Sequence, residues 1–186
     1  MHIFIKMKKD LSQQIKIPEG VEADIEGNRI IIKGLEGENK HEFKFGKLNV
    51  EKKDNKIIIG NKKSTKTEKK MMNTISAHLR NMIKGVQEKF VYELKICFSH
   101  FPITVEIKDK DVSIKNFLGE KIPRKIKLNK GVDVKIEKDK IVITSTNKEL
   151  AGQTAANFEK ITKITGRDRR VFQDGIYITK KNGREI

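Results

Sequence analysis

Three arginines fall within four positions in the stretch Gly166-Arg167-Asp168-Arg169-Arg170-Val171-Phe172-Gln173-Asp174-Gly175-Ile176-Tyr177. A folded core has no use for clustered guanidiniums, because an unpaired charge is costly to bury. Guanidiniums do suit phosphate, which they grip through two parallel hydrogen bonds, and an aromatic ring stacks on a base or on an arginine plane. Arg167, Arg169 and Arg170 are therefore expected to bind phosphate, with Tyr177 as a candidate stacking ring. Phe172 is expected to pin the loop by burial. Asp174-Gly175 is expected to be a turn in which Gly takes positive φ.

More basic residues surround this stretch. Lys160 and Lys163 precede it, and Lys180, Lys181 and Arg184 follow. Lys121, Arg124 and Lys125 flank Pro123. Cations in the last turn of a helix gain about 0.3–1 kcal/mol each from its dipole, which offers Lys163 and Arg167 a purely structural role. Arg169 and Arg170 lie beyond that reach. In the first half, Lys62, Lys63 and Lys66, with Lys69 and Lys70, read as a lysine-rich loop, either solvated or a secondary RNA contact.

The chain has 186 residues and a formal net charge of +16, spread along its length. Such a balance calls for a polyanionic partner, and nucleic acid comes before an anionic membrane. Alternating Ile and Val argue against disorder, although 35% of residues are charged. Cys97 is the only cysteine, so no intrachain disulfide forms and a reducing cytosol is expected. It reads as a small buried strand residue. The run Met1–Lys6 is too short for a signal peptide or membrane span, and Met7 is a candidate start.

Catalysis needs a convergent set of groups, and none is visible. His2, His41, His78 and His100 are scattered without the spacing of a metal pair. There is no Gly-rich phosphate loop and no Gly-x-Ser-x-Gly elbow. The expectation is a non-enzyme with no metal, no cofactor and no small-molecule substrate. An RNA-modifying enzyme is disfavoured on the same ground.

The elements that must carry the basic stretch are written twice. Ile30-Ile31-Ile32-Lys33 finds Val112-Ser113-Ile114-Lys115 at an offset of 82. Lys56-Ile57-Ile58-Ile59 finds Lys140-Ile141-Val142-Ile143 at an offset of 84. After each pair comes a helical pattern: Met71, Ile75, Leu79, Met82 and Val86 in one half, and Leu150, Ala151, Ala155, Phe158, Ile161 and Thr162 in the other. Gly85 and Gly166 are expected to end these helices. The fold class is α+β: two tandem duplicated units, each a small antiparallel sheet with one helix packed on a face. The boundaries are set at 7–98 and 99–186, with a joint near Ser99-His100.

Four stretches carry a resemblance to a known family: Asn81-Met82-Ile83-Lys84-Gly85-Val86, His100-Phe101-Pro102-Ile103, Asn116-Phe117-Leu118-Gly119-Glu120-Lys121 and Arg170–Tyr177. In this order they resemble the large-subunit ribosomal protein six family, in its archaeal and eukaryotic cytosolic branch. Gly152-Gln153-Thr154-Ala155-Ala156-Asn157 leans towards the archaeal form, whereas Lys62–Lys70 departs from the family pattern. The resemblance implies a duplicated α+β fold and a place in the cytoplasmic ribosome among neighbouring large-subunit proteins. It also implies rRNA binding through the second domain and tail, near the sarcin–ricin region where translational GTPases dock. The alternative is a tandem-repeat interaction module whose basic face meets acidic protein.

Overall fold

Alternation places the strands, and the same alternation recurs in both halves. In the computed structural model, which describes residues 9–168 and 170–186, the chain divides into two compact units, one ending at Glu88 and the other beginning at Lys89. The first contains β1 (Lys9–Lys16), β2 (Glu22–Glu26), β3 (Arg29–Gly34), β4 (Gly37–Glu42), β5 (Asn49–Lys53), β6 (Lys56–Ser64) and α1 (Lys66–Gln87). The second contains β7 (Phe90–Cys97), β8 (Thr104–Lys108), β9 (Asp111–Lys115), a 3-10 turn at Phe117–Gly119, β10 (Arg124–Lys127), β11 (Asp133–Glu137), β12 (Lys140–Ser145) and α2 (Lys148–Ile161). It ends with β13 (Gly175–Lys181) and β14 (Arg184–Glu185).

Each unit has two antiparallel sheets where the sequence suggested one. They run β1-β6-β5 and β2-β3-β4 in the first unit, β11-β12-β7-β13-β14 and β10-β9-β8 in the second. The repeated residues fall on equivalent faces: Ile30 and Ile32 are buried on β3 as Val112 and Ile114 are on β9. Ile57 and Ile59 on β6 match Ile141 and Ile143 on β12 in the same way. Residues two apart on a strand share a face, so one hydrophobic period serves both copies.

The sequence reading grouped 90–97 with the first half. In the structure β7 is hydrogen-bonded between β12 and β13, at the centre of the five-stranded sheet. It opens the second unit as β1, paired to β6, opens the first. Phe90, Tyr92, Leu94 and Ile96 alternate into the second unit's core, joining Phe117, Phe158 and Ile176.

The helices start by side-chain capping. The expected lysine-rich loop is not a loop: Lys62 and Lys63 lie on β6, and Lys66 is already helical. Thr65 alone joins the two elements through a capping box with Glu68, whose carboxylate accepts the Thr65 amide at 2.8 Å. Met72, Ile75, Leu79, Met82, Ile83 and Val86 form the buried stripe of α1, while Met71 is half-buried. Gly85 does not end this helix; it is buried within it. Asn147 caps α2 by accepting from the Glu149 amide at 2.9 Å. That helix buries Ala151, Thr154, Ala155 and Phe158, and ends at Ile161, before Gly166. Gly34 allows β3 to cross the last turn of α1, where a Cβ would lie 2.8 Å from Val86.

Candidate nucleic-acid interface

The C-terminal half of α2 and the chain leading into β13 carry Lys160, Lys163, Arg167 and Arg170 of the expected contact residues. Thr162 fixes the junction. Its hydroxyl donates to the Phe158 carbonyl at 3.0 Å and accepts the Ile176 amide at 3.0 Å, tying the helix end to β13. One residue before the strand, a carboxylate fastens the chain to the segment that follows β7. Asp174 is 1% exposed and accepts from the Ser99 amide at 2.6 Å, the His100 amide at 3.1 Å and the His100 ring Nδ1 at 2.6 Å. Burial pushes its pKa up, but the two amides and the imidazole outweigh burial and hold it at about 2.

The basic loop leans on this clasp. The His100 ring stacks on Phe172 with centroids 4.7 Å apart, and the Arg167 guanidinium lies 4.9 Å from the Phe172 centroid. Phe172 is half-buried, so it anchors the loop as expected and also carries a cation on its ring. Arg170 pairs with Asp168 at 3.2 Å, and its amide donates to the same carboxylate at 2.9 Å, yet its side chain stays 91% exposed. The Arg170 amide and guanidinium hold the Asp168 carboxyl below its usual range. Arg169 lies outside the described residues.

Lys160, Lys163 and Tyr177 line one cavity of about 440 Å³, with Ile164, Phe172, Glu159 and Gln173 also in its walls. Lys125 and Lys160 border a second depression of about 380 Å³ on α2, beside Asn157. Lys121 and Lys181 are exposed, while Lys180 is half-buried and pairs with Glu185 at 3.5 Å.

Arg124 has a different setting from its neighbours. Its Nε donates to Glu120 at 2.8 Å, its Nη1 donates to the Ile161 carbonyl, and its guanidinium lies 4.3 Å from the Phe117 centroid. With only 27% of the side chain exposed, it closes the C-terminus of α2. Lys62, Lys63 and Lys66 are exposed in the first unit, and none of them lines either cavity.

Tyr177 is 42% exposed. Its hydroxyl donates to the Gln173 carbonyl at 3.2 Å, and its ring lies 3.1 Å from where a Cβ on Gly175 would stand. Gly175 is therefore not the positive-φ turn residue that the sequence suggested. It opens β13 opposite Cys97, and its missing side chain makes room for the tyrosine ring.

Sequence reasoning missed Thr162 and the Asp174–His100 clasp. The clasp joins residues 74 apart in the chain, and nothing local marks such a pair. The histidines are also less scattered than they looked: within the first unit, the His41 and His78 rings approach to 5.2 Å beside Phe43.

Similarity to known proteins gives this geometry its setting. The family described as Ribosomal protein L6 matches residues 17–89 and again 101–175. A large ribosomal subunit protein uL6 from Methanococcus vannielii is 41% identical over 176 residues, covering 95% of this chain and 97% of the relative. Its counterpart from Methanobrevibacter smithii is 43% identical over 171 residues, covering 92% and 96%. That from Methanothrix thermoacetophila is 40% identical over 175 residues, covering 94% and 99%. Two matched stretches in tandem and relatives aligned over nearly their whole length show that the chain belongs to the ribosomal protein L6 (uL6) family.

Proposed function

We propose that this chain binds large-subunit rRNA chiefly through its second unit and C-terminal tail. Family membership makes it a structural ribosomal protein and not an enzyme. The observation that carries the RNA reading is the convergence of Lys160, Lys163, Arg167 and Arg170 around the end of α2 and its following loop. Preplaced cations neutralise phosphates, and the protein reads RNA shape more than base sequence. Lys121, Lys125, Arg169, Tyr177, Lys180 and Lys181 complete the proposed contact. Lys62, Lys63 and Lys66 are a secondary one. Arg124 contributes by holding α2, and only its edge is open to solvent. The family resemblance supports a site near the sarcin–ricin region in the cytoplasmic ribosome, beside neighbouring large-subunit proteins.

The test is a salt titration of rRNA binding. Replacing Arg167, Arg169 and Arg170 by Ala is expected to weaken binding and to lower the slope of log K against log salt by about two or more. An unchanged slope would remove the contact from this loop. A larger loss from Ala at Lys62, Lys63 and Lys66 would move the main contact to the first unit. Survival of the native complex after ribonuclease digestion would favour an acidic protein partner instead.

A further inference from the structure

Tyr177 is exposed, as Phe98 and Phe101 are in the same unit, but its ring is held in one orientation. The hydroxyl is tethered to the Gln173 carbonyl, and the ring is laid against Gly175, the one residue type that leaves space for it. A side chain fixed in this way has already lost the rotamer freedom that a ligand would otherwise have to freeze. The ring forms one wall of the 440 Å³ cavity, which falls within the span of about 300–1,000 Å³ usual for ligand pockets.

The remaining walls say what kind of group fits. Phe172 and Ile164 are apolar, and Glu159 brings a carboxylate that accepts the Ile178 amide at 3.3 Å. A phosphate inside the cavity would be repelled by that carboxylate, whereas a neutral planar group would not be. The exposed Lys160 and Lys163 provide positive charge at the same cavity, placed for phosphates on either side of such a group.

We infer that this cavity receives a single unpaired nucleobase of the bound RNA, stacked on Tyr177, with Lys160 and Lys163 on the flanking phosphates. The inference rests on the rRNA reading above and adds a recognition element that phosphate neutralisation does not supply. Stacking is insensitive to salt, in contrast to phosphate contacts, so the two contributions separate in one titration.

The test uses the full chain and deproteinised archaeal large-subunit rRNA. Tyr177→Leu and Tyr177→Thr remove the ring, and Tyr177→Phe removes only the hydroxyl. Both ring-less variants are expected to bind roughly tenfold or more weakly with an unchanged salt slope, and Tyr177→Phe to stay within about threefold of the parent. Thermal melting identifies any variant that has lost its fold, and Thr, a strand-favouring residue, is the second route if Leu does so. Ring-less variants that bind like the parent would overturn the stacking site while leaving rRNA binding intact. A Phe variant as weak as Leu would also overturn it, because the tether and not the ring would then matter. Failure of the parent chain to bind this RNA would overturn the rRNA reading itself.

Discussion

Asp174 shows how one residue in a basic loop can be structural while its neighbours face solvent. Its carboxylate is nearly sealed and takes four donors from Ser99 and His100. Because its folded pKa of about 2 lies below the ordinary 3.8, the stabilisation is complete above about pH 4 and is lost as pH falls from 3.8 through 2. The shift corresponds to roughly 2 kcal/mol. Acid titration of thermal stability should show this loss, and Asp174→Asn should remove the acid-dependent component. Asp174→Ala should cost about 2–3 kcal/mol at neutral pH, since it leaves two amides without their acceptor. An Ala variant as stable as the parent would show that the clasp does not hold the loop. The neighbouring Asp-Gly pair had looked like an ordinary turn because adjacent residues are all that a turn signature contains. The partner that redefines Asp174 lies 74 positions upstream.

Helix α2 is the element on which the interface is built. Its start was written locally, in Asn147 and the residues after it, and its apolar face in Ala151, Ala155 and Phe158. Its end was not. Thr162 bonds back to Phe158 within the last turn, while bonds from Arg124 to Ile161 and from Ile176 to Thr162 fasten it to separate segments. Arg124 and Lys125 are adjacent in the chain and should behave oppositely. Arg124→Ala is expected to destabilise the fold by roughly 2 kcal/mol, through lost charged hydrogen bonds. Lys125→Ala is expected to leave stability within about 0.5 kcal/mol and to lower the rRNA salt slope by about one. Melting curves and binding titrations on the same two proteins would show it, and equal behaviour of the pair would contradict this division. Period and charge identify both residues as basic and strand-borne. The Ile161 carbonyl, the Glu120 carboxylate and the Phe117 ring separate them.

Duplication organises the whole chain, but the units are not equal. Each has an opening strand paired with the strand that precedes its helix, β1 with β6 and β7 with β12. The second adds β13 on the other edge of β7, and the chain reaching β13 carries the arginines. The strand at 90–97 is therefore central to the second unit. A fragment covering 89–186 is expected to show cooperative unfolding, whereas one covering 99–186 lacks the strand that β12 and β13 both pair with. Circular dichroism of the two fragments checks this, and a folded 99–186 fragment would return the boundary to Ser99.

The sequence alone was enough for the class of elements, the tandem repeat and the expectation of a polyanionic partner. These rest on short-range period and summed charge, which survive whatever the chain does in three dimensions. Ile30 and Val112, or Ile57 and Ile141, could be matched without coordinates because equal spacing puts them on equal faces. The tertiary structure was needed to assign β7 to its unit and to divide the cations by role. It locked Arg124 to a helix end, drew Lys160, Lys163 and Tyr177 to one cavity, and laid the tyrosine ring over Gly175. Strand neighbours and cavity walls come from segments far apart in the chain, and their pairing leaves no periodic trace in either segment.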